Sequence, residues 1–410
     1  MPIPVESRDK RLEGPLAGVR VIELGQLLAG PFTSTRLADF GAEVIKIESP
    51  GSGDPMRRWG NSHEGRCLWW PVLSRNKKSV TANLRDPKGQ DLVRRLISEA
   101  DVLVENFKPG TLEKWGMSPD ELLAINQSLI IARVSGFGQT GPYSDRPGFA
   151  SVGEAMGGLR YINGFPDQPP PRSGISLGDT LTGLFAAQGI LMALYWRDGL
   201  GGGKGQVIDA SIMESCFTMM ESSLMEYDKL GIVRQPSGTG LAKVAPSNIY
   251  PTKDGKYLVI AANLDPMFNR LCEAIGKPEL SSDPKFDTHM SRGENAEELD
   301  ALIGEWTKNM TAAELDRHLD GHGVVTGPIY TIADIAKDKH FKDREMVLKY
   351  SDPHFGELAI PGVAPKLSHT EPKISWLGPQ EVGAHNQEIY GGLLSIDDEE
   401  LKDLSEKGVI

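Results

Sequence analysis

Cysteine is scarce in this chain of 410 residues: there are three, Cys67, Cys216 and Cys272, odd in number and widely spaced. They match neither a metal nor a redox spacing, so buried free thiols are expected. Histidine is thin as well, at eight. The one pair at helical spacing, His318 and His322, falls where Gly321 and Gly323 mark a helix end, and no metal centre is expected. Net positive charge is absent: the formal charge is −12, which argues against nucleic acid as a partner. Long hydrophobic runs are lacking too. The longest, Gly183 to Trp196, is too short and too interrupted to span a bilayer, and Met1–Lys10 lacks the apolar run of a signal peptide. A cytoplasmic protein with no membrane partner is expected.

What remains is the composition of an ordinary globular protein, 39% hydrophobic and 24% charged, long enough for two domains and a substantial core. The first half alternates strand and helix. Val19–Leu24 reads as a strand, Gly25–Gly30 as a loop, Pro31 as the first turn of a helix through Phe40, and Glu43–Glu48 as the next strand. Strands near Val80–Asn83, Asp101–Glu105 and Leu129–Val134 alternate with helices at Pro87–Glu99 and Pro119–Asn126. This predicts an α/β fold with a mostly parallel sheet and ligands at the carboxyl ends of its strands. A long helix from about Thr180 to Trp196 precedes a glycine-rich turn and a strand at Gln206–Asp209. The texture changes near Ile232, where a hairpin turning at Asp254-Gly255 and three helical segments predict a smaller α+β domain. The expected division is residues 1–230, 231–335, and a return segment, 336–410, that completes the first domain.

Four features carry chemistry. Asp179, in Ser173-Gly-Ile-Ser-Leu-Gly-Asp-Thr-Leu-Thr-Gly183, stands before an apolar helical run, the position of an N-cap. A carboxylate there is also a competent nucleophile toward a thioester, and a helix N-terminus favours its ionised form. Gln26-Leu-Leu-Ala-Gly-Pro31 opens a helix after the first strand, so its amides could face a pyrophosphate or a thioester carbonyl. Residues 57–95 carry ten cations against three acids, which suits either a solvated surface or a site for a phosphorylated ligand. Gly136-Phe-Gly-Gln-Thr-Gly141 has dinucleotide-loop spacing, but Pro142 and Pro147 follow where a helix is required. Gly203-Lys204 is followed by Gly205 where a phosphate loop needs Ser or Thr.

Together these segments resemble the class III CoA-transferases, the carnitine and formyl-CoA transferase family. The resemblance runs through Leu16-Ala-Gly-Val-Arg-Val-Ile-Glu-Leu, Leu28-Ala-Gly-Pro31, Gly41-Ala-Glu-Val-Ile-Lys-Ile-Glu48, Arg75-Asn-Lys-Lys-Ser79, Asp101-Val-Leu-Val-Glu-Asn-Phe107, Leu177-Gly-Asp179 and Gly383-Ala-His385. It implies a Rossmann-like large domain built from both chain ends, a small domain, and an interlocked homodimer. It also implies coenzyme A and its thioesters as substrates, with no tightly bound cofactor. By position, Asp179 matches the catalytic aspartate. Arg85 matches a basic residue contacting CoA, Asn106 an asparagine near the pantetheine arm, and Lys114 a frequent cation. Leu28 and Ala29 fall at the CoA-facing loop, Leu28 in place of the formyl-CoA enzymes' glutamine, and Ser49 replaces an arginine near the adenine. Formate is therefore not the expected substrate. Gly238 and Gly240 match a covering loop, though with fewer glycines. The implied route passes through an aspartyl anhydride and an aspartyl-CoA thioester.

The same fold supports acyl-CoA racemases, but Phe149 stands where those have their histidine, and a phenyl ring exchanges no proton. Arg66-Cys-Leu-Trp-Trp70 followed by Arg75-Asn-Lys-Lys-Ser79 looks most like the branch that uses succinyl-CoA and four- to six-carbon dicarboxylates. A second carboxylate needs a cation, and Arg57, Arg58 and Arg172 are the candidates, with Gln26 nearby. Carnitine-like or hydrophobic acyl groups, or CoA binding without turnover, are the alternatives.

Overall fold

The computed structural model describes residues 13–410, so the reading of Met1–Lys10 lies outside the described residues. Six strands form one sheet: β1 (Arg20–Glu23), β2 (Glu43–Glu48), β3 (Lys77–Thr81), β4 (Val102–Glu105), β5 (Ile130–Ser135) and β6 (Val207–Ser211). They lie in the order β3-β2-β1-β4-β5-β6, and every pairing is parallel. The connections carry the helices α1 (Ala29–Ala38), α2 (Pro87–Ser98), α3 (Pro119–Ile125), α4 (Ala150–Met156) and α5 (Leu177–Leu194), and α6 (Ile212–Phe217) follows the last strand. α2 shows how locally this is written. Asp86 accepts the Lys88 amide at 2.8 Å, Pro87 fits the first turn, and Leu92, Val93, Leu96 and Ile97 bury one face.

The chain divides into two compact units, one holding residues 13–159, 173–222 and 340–410, the other residues 160–172 and 223–339. Arg160–Arg172 belongs with the second unit, although it lies far ahead of Ile232 in sequence. Within that unit Gly238 N donates to Gly164 O at 2.8 Å, and the Tyr161 hydroxyl donates to Gln235 at 3.0 Å. The second unit is an antiparallel sheet of β7 (Ser247–Pro251), β8 (Tyr257–Ala261) and β9 (Thr326–Pro328) with helices α7 (Asp265–Ile275), α8 (Ala296–Thr307) and α9 (Ala312–Gly321). Its separate core includes Leu258, Ile260, Phe268, Leu271, Leu299 and Leu315.

From His340 the chain is part of the large unit, ending in α10 (Asp398–Glu406). Strand alternation sorts the large unit's core into two layers. Ile22, Ile45, Val80 and Leu103 face α2 and α10, while Val21, Val44, Val102 and Ile130 face α1 and α5. The last residues close the first layer: Asn83 N donates to Val409 O, and the Tyr390 hydroxyl donates to Thr81 O at 2.7 Å.

The third strand begins at Lys77, earlier than the expected Val80, because its two lysines are paired and buried. Lys77 Nζ meets Glu23 at 2.8 Å, and Lys78 Nζ meets Glu43 at 2.7 Å. Arg57 likewise meets Glu48, and Arg75 meets Asp39, each at 2.7 Å. The basic excess of residues 57–95 is thus partly neutralised by carboxylates from β1, β2 and the end of α1. Four of its ten cations hold the fold together and do not line a phosphate site.

At the centre lies Glu23, fully buried. It accepts from Lys46 at 2.7 Å, from Lys77 and from the Ser34 hydroxyl. Burial opposes its ionisation, but the two ammonium groups outweigh burial and hold the carboxyl at about 2. Burial pulls Lys77 down to about 8 even with Glu23 beside it, because Lys46 shares that carboxylate.

The helical turns from Leu177 to Gly199 are long and apolar enough, by length and composition, to cross a membrane. The Gly183–Trp196 reading undercounted this stretch, because α5 starts six residues earlier and takes in Leu177 and Leu181. One side of α5 packs on α1 and the sheet, while Leu184, Leu191 and Met192, with Tyr195 and Trp196 of the turn that follows, are exposed.

Glu23→Gln should cost about 3–5 kcal/mol at neutral pH, since it leaves the buried Lys77 ammonium without its carboxylate and Lys46 with Asp54 alone. The folded pKa of Glu23 lies below its ordinary 4.5, so its contribution is complete above that value and is lost as the pH falls toward 2. Urea denaturation from neutral into acid pH should show a steep acid limb in the wild type and a shallower one in the variant.

Candidate active site

The strand order reverses between β1 and β4, and the loops leaving their carboxyl ends diverge there. Such a switch point opens the crevice in which doubly wound sheets bind ligands. The loop after β1 is pinned from every side. Lys46 donates to Gly25 O at 2.8 Å, Lys77 to Pro31 O at 2.7 Å, and Leu27 N donates to Asp54 Oδ1 at 3.1 Å. Asn106, just past β4, completes it: its Oδ1 accepts Gln26 N at 2.7 Å, and its Nδ2 donates to Gln26 O at 2.8 Å. A Cβ on Gly30 would lie 3.3 Å from Asn106 Cγ and 3.2 Å from Gly25 Cα, so glycine permits this approach. Leu27 is held at a φ of 61°, a conformation that costs a non-glycine residue about 1–3 kcal/mol.

The result is a rigid entry to α1. No side chain caps this helix, and its third residue is Pro31. The first-turn amides of Ala29 and Gly30 have no intrahelical acceptor and point toward the crevice end, as helix N-termini do. Leu28 does not face a ligand: its side chain is buried with Met56, Cys67, Trp70 and Leu73. Only its backbone belongs to the site.

A cavity of about 510 Å³ lies over the ends of β1, β2, β3 and β4, with Gln26, Ser49, Ser52, Asn83 and Arg85 among its polar lining. That is the size of a nucleotide or cofactor site. Phe107 and Trp115, packed edge to face at 5.2 Å, form an apolar wall. Arg85 is the exposed cation at the cavity, and Lys114 is exposed on the short turn that carries Trp115. Glu105 sets the Asn106–Phe107 backbone: its carboxylate accepts Phe107 N at 2.7 Å and Arg133 Nε at 2.8 Å. Burial pushes Glu105 up to about 7, and Arg133 offsets only part of that.

Asp179 is not the cap of its helix. Ser176 holds that position, and Asp179 is the third residue of α5, in the first turn. Gly178 N donates to the buried Glu154 of α4 at 2.9 Å. One turn on, a Cβ at Gly183 would meet the Phe32 ring at 2.8 Å and Ala29 O at 3.2 Å, so the helices touch at the start of α1. Residues four apart share a helix face, and Asp179 therefore lies on the stripe that meets the α1 N-terminus. Cys216 is beside it. Burial, then the charges of Glu154 and Asp179, push that thiol up to about 11, which makes it an inert packing group.

The remaining candidates separate. Arg57 is unsuited to a substrate carboxylate, because it grips Glu48 through two nitrogens, donates to Pro379 O and Gln380 O, and lies 3.9 Å over the Trp70 ring. Arg58 donates to Ser52 O at 2.6 Å. Arg172 is exposed and belongs to the second unit, as do Gly238 and Gly240. The loop of these two glycines is fastened: Ser237 Oγ donates to Gly240 O, and Thr239 Oγ1 to Asn248 Oδ1. Sequence reasoning missed Phe107, Trp115 and Glu105. The Asp101–Phe107 segment held a signal for two of them, an acid and an aromatic flanking Asn106 at a strand end.

These features define a doubly wound α/β protein with a nucleotide-sized crevice at its switch point and a carboxylate at the head of a neighbouring helix. The CoA-transferase family III model matches residues 16–386, and the chain belongs to that family. It is 53% identical over 397 residues to the succinyl-CoA–D-citramalate CoA-transferase of Chloroflexus aurantiacus, covering 97% of this chain and 98% of that one. It is 40% identical over 400 residues to the succinyl-CoA–L-malate CoA-transferase beta subunit of the same organism, covering 97% and 98%. A solved CAIB/BAIF family protein from Brucella suis matches with a TM-score of 0.81 at 36% identity, covering 93% of this chain and all of that one.

Asn106→Ala should strip Gln26 of both backbone partners, at about 1–3 kcal/mol for each polar group left buried. Hydrogen exchange read by mass spectrometry should show faster exchange in the peptide spanning Gln26 and little change in the second unit.

Proposed function

We propose that this CoA-transferase moves CoA from succinyl-CoA to a small dicarboxylic acid, with Asp179 carrying the acyl group. The observation that carries the chemistry is the contact of α5 with the head of α1 at Gly183 and Ala29. It supports a reading in which the carboxylate four residues before Gly183 lies beside amides that have no partner in their own helix, so that a nucleophile and oxyanion donors share one place. The substrate class follows from the names of the relatives, since citramalate and malate are both hydroxydicarboxylates.

The cavity beside Arg85, Phe107 and Trp115 receives the nucleotide end of CoA, with Arg85 and Lys114 as counter-charges for phosphate and the aromatic wall against the base. The pantetheine arm then passes Asn106 toward Asp179. One Asp179 oxygen attacks the succinyl carbonyl, and CoA leaves as thiolate. The thiolate attacks the aspartyl carbonyl, and succinate departs with one oxygen that began on Asp179. The acceptor carboxylate attacks the resulting aspartyl thioester and again frees the thiolate. Its attack on the acceptor carbonyl releases the new thioester and restores Asp179 with one acceptor oxygen. The amides of Ala29 and Gly30 hydrogen-bond the oxyanion at each addition. Racemisation is not favoured, because Phe149 supplies no proton.

The exposed apolar side chains Leu184, Leu191 and Met192 of α5, with Tyr195 and Trp196 of the turn after it, form a stripe of the kind that marks an interaction surface. A second copy of the chain is its proposed cover, as the interlocked dimer requires. The buried free thiols suit a reducing, cytoplasmic setting.

Protein mixed with succinyl-CoA and quenched with hydroxylamine should yield a hydroxamate on the Asp179 peptide. Asp179→Asn should yield none and lose CoA exchange by about 10³-fold or more while retaining CoA affinity. A variant that exchanges at the wild-type rate would overturn the assignment. In sedimentation equilibrium the protein should run as a dimer, and a monomer at micromolar concentration would contradict the proposed cover for α5.

A further inference from the structure

A second cavity, of about 220 Å³, lies on the other side of Asn106, over the ends of β4 and β5. It is below the ~300–1,000 Å³ of sites for cofactors and drug-sized ligands, but it has room for the arm of a small acid. Lys108, Ser135, Ser144, Arg146 and Phe149 are among its lining residues, and no carboxylate is.

Its wall is the glycine segment that resembles a dinucleotide loop. Gly136 and Gly148 cross in direct contact: a Cβ on either would stand 2.6 or 2.7 Å from the other's Cα. This pinch closes residues 137–147 into a loop that folds back on itself. Gly138 N donates to Ser135 Oγ, Gln139 N to Asp209, and Ser144 Oγ to Gly141 O. The glycines therefore shape a side-chain platform. On it the Arg146 guanidinium stacks 4.8 Å from the Tyr143 ring centroid and 5.6 Å from that of Phe137. Stacking fixes the plane of the guanidinium and leaves its edge donors free for a carboxylate.

Unlike the arginines that hold the fold together, Arg146 is not committed to a carboxylate. Arg57, Arg75, Arg133 and Arg197 of the same unit each grip a carboxylate of the fold. Arg146 and Lys108 form no ion pair with any described residue, although both line one cavity. Its position matches the reaction. The cavity borders Asn106 on one side and the start of α4 on the other. Phe149 precedes α4, and Glu154, about 7.5 Å further along its axis, holds the Gly178 amide next to Asp179.

We propose that this cavity is the subsite for the second carboxylate of the dicarboxylic acid, with Arg146 as its principal partner, Lys108 as the supporting cation, and Phe149 against the carbon chain. The inference rests on the CoA-transfer reading and deepens it: the enzyme selects dicarboxylates because only they neutralise Arg146. A monocarboxylate of equal length leaves the guanidinium without a counter-charge.

The test is a competition with succinyl-CoA as the one donor and two acceptors of equal length, labelled succinate and butanoate. Because the donor is common, their ratio of incorporation into CoA thioester reports acceptor selection alone. Arg146→Gln, and Lys108→Gln combined with it, should reduce the preference for succinate roughly 10- to 100-fold. Affinity for free CoA should stay within about twofold of wild type, which also shows that the variants fold. Arg146→Lys should give an intermediate preference. An unchanged succinate preference would overturn the subsite. So would a matching loss of free CoA affinity, which would make these cations phosphate contacts. Wild-type protein that passes CoA to neither acid would remove the transfer reading and the subsite with it.

Discussion

A single buried carboxylate, Glu23, organises this molecule. Placed at the end of β1 and reached by Lys46 from β2 and Lys77 from β3, it ties three adjacent strands through side chains as well as backbone. Two ammonium groups in a protein interior are strongly disfavoured on their own, and the carboxylate they share, with Asp54 as a second partner for Lys46, makes their burial tolerable. Each lysine then has donors left over, and these fall on Gly25 O and Pro31 O, the two ends of the loop that opens the crevice. The functional loop is rigid because the charge network beneath it is complete.

The same logic repeats along the crest of the sheet. Glu105, gripped by Arg133, sets the backbone of Asn106 and Phe107, and Asn106 in turn fixes Gln26. Glycine does the rest by letting backbone touch backbone, at Gly25 against Gly30 and at Gly136 against Gly148. The outcome is a row of features in strand order: a nucleotide-sized cavity, Asn106, a smaller cationic cavity, and then the helix whose first turn carries Asp179. Preorganisation of this kind limits the reorganisation needed when charge develops during acyl transfer.

Much of the scaffold was legible in the sequence. Glu43–Glu48 was bounded as observed, and α2 was announced by Asp86, Pro87 and its apolar spacing. Lys77 and Lys78 were not read as strand, since their partners Glu23 and Glu43 are far away in sequence and only sheet order brings them together. For the same reason Arg57 looked available for a substrate when Glu48 already holds it. Asp179 was read as a cap because the helix start was placed too late, with Ser176 unrecognised. The Gly136–Gly141 segment lacked the helix that a dinucleotide loop requires, and its pairing with Gly148 is a tertiary fact that no local pattern contains.

The central claim is that Asp179 is covalently part of the transfer. In that route an oxygen of the acceptor acid ends on the enzyme, since the last attack leaves one acceptor oxygen on the aspartate. Turnover with succinyl-CoA and an acceptor labelled with heavy oxygen in its carboxylates, followed by peptide mass spectrometry, measures this directly. The account predicts heavy oxygen in the Asp179 peptide and in no other. An unlabelled Asp179 peptide after turnover, with the acceptor thioester formed, would contradict it.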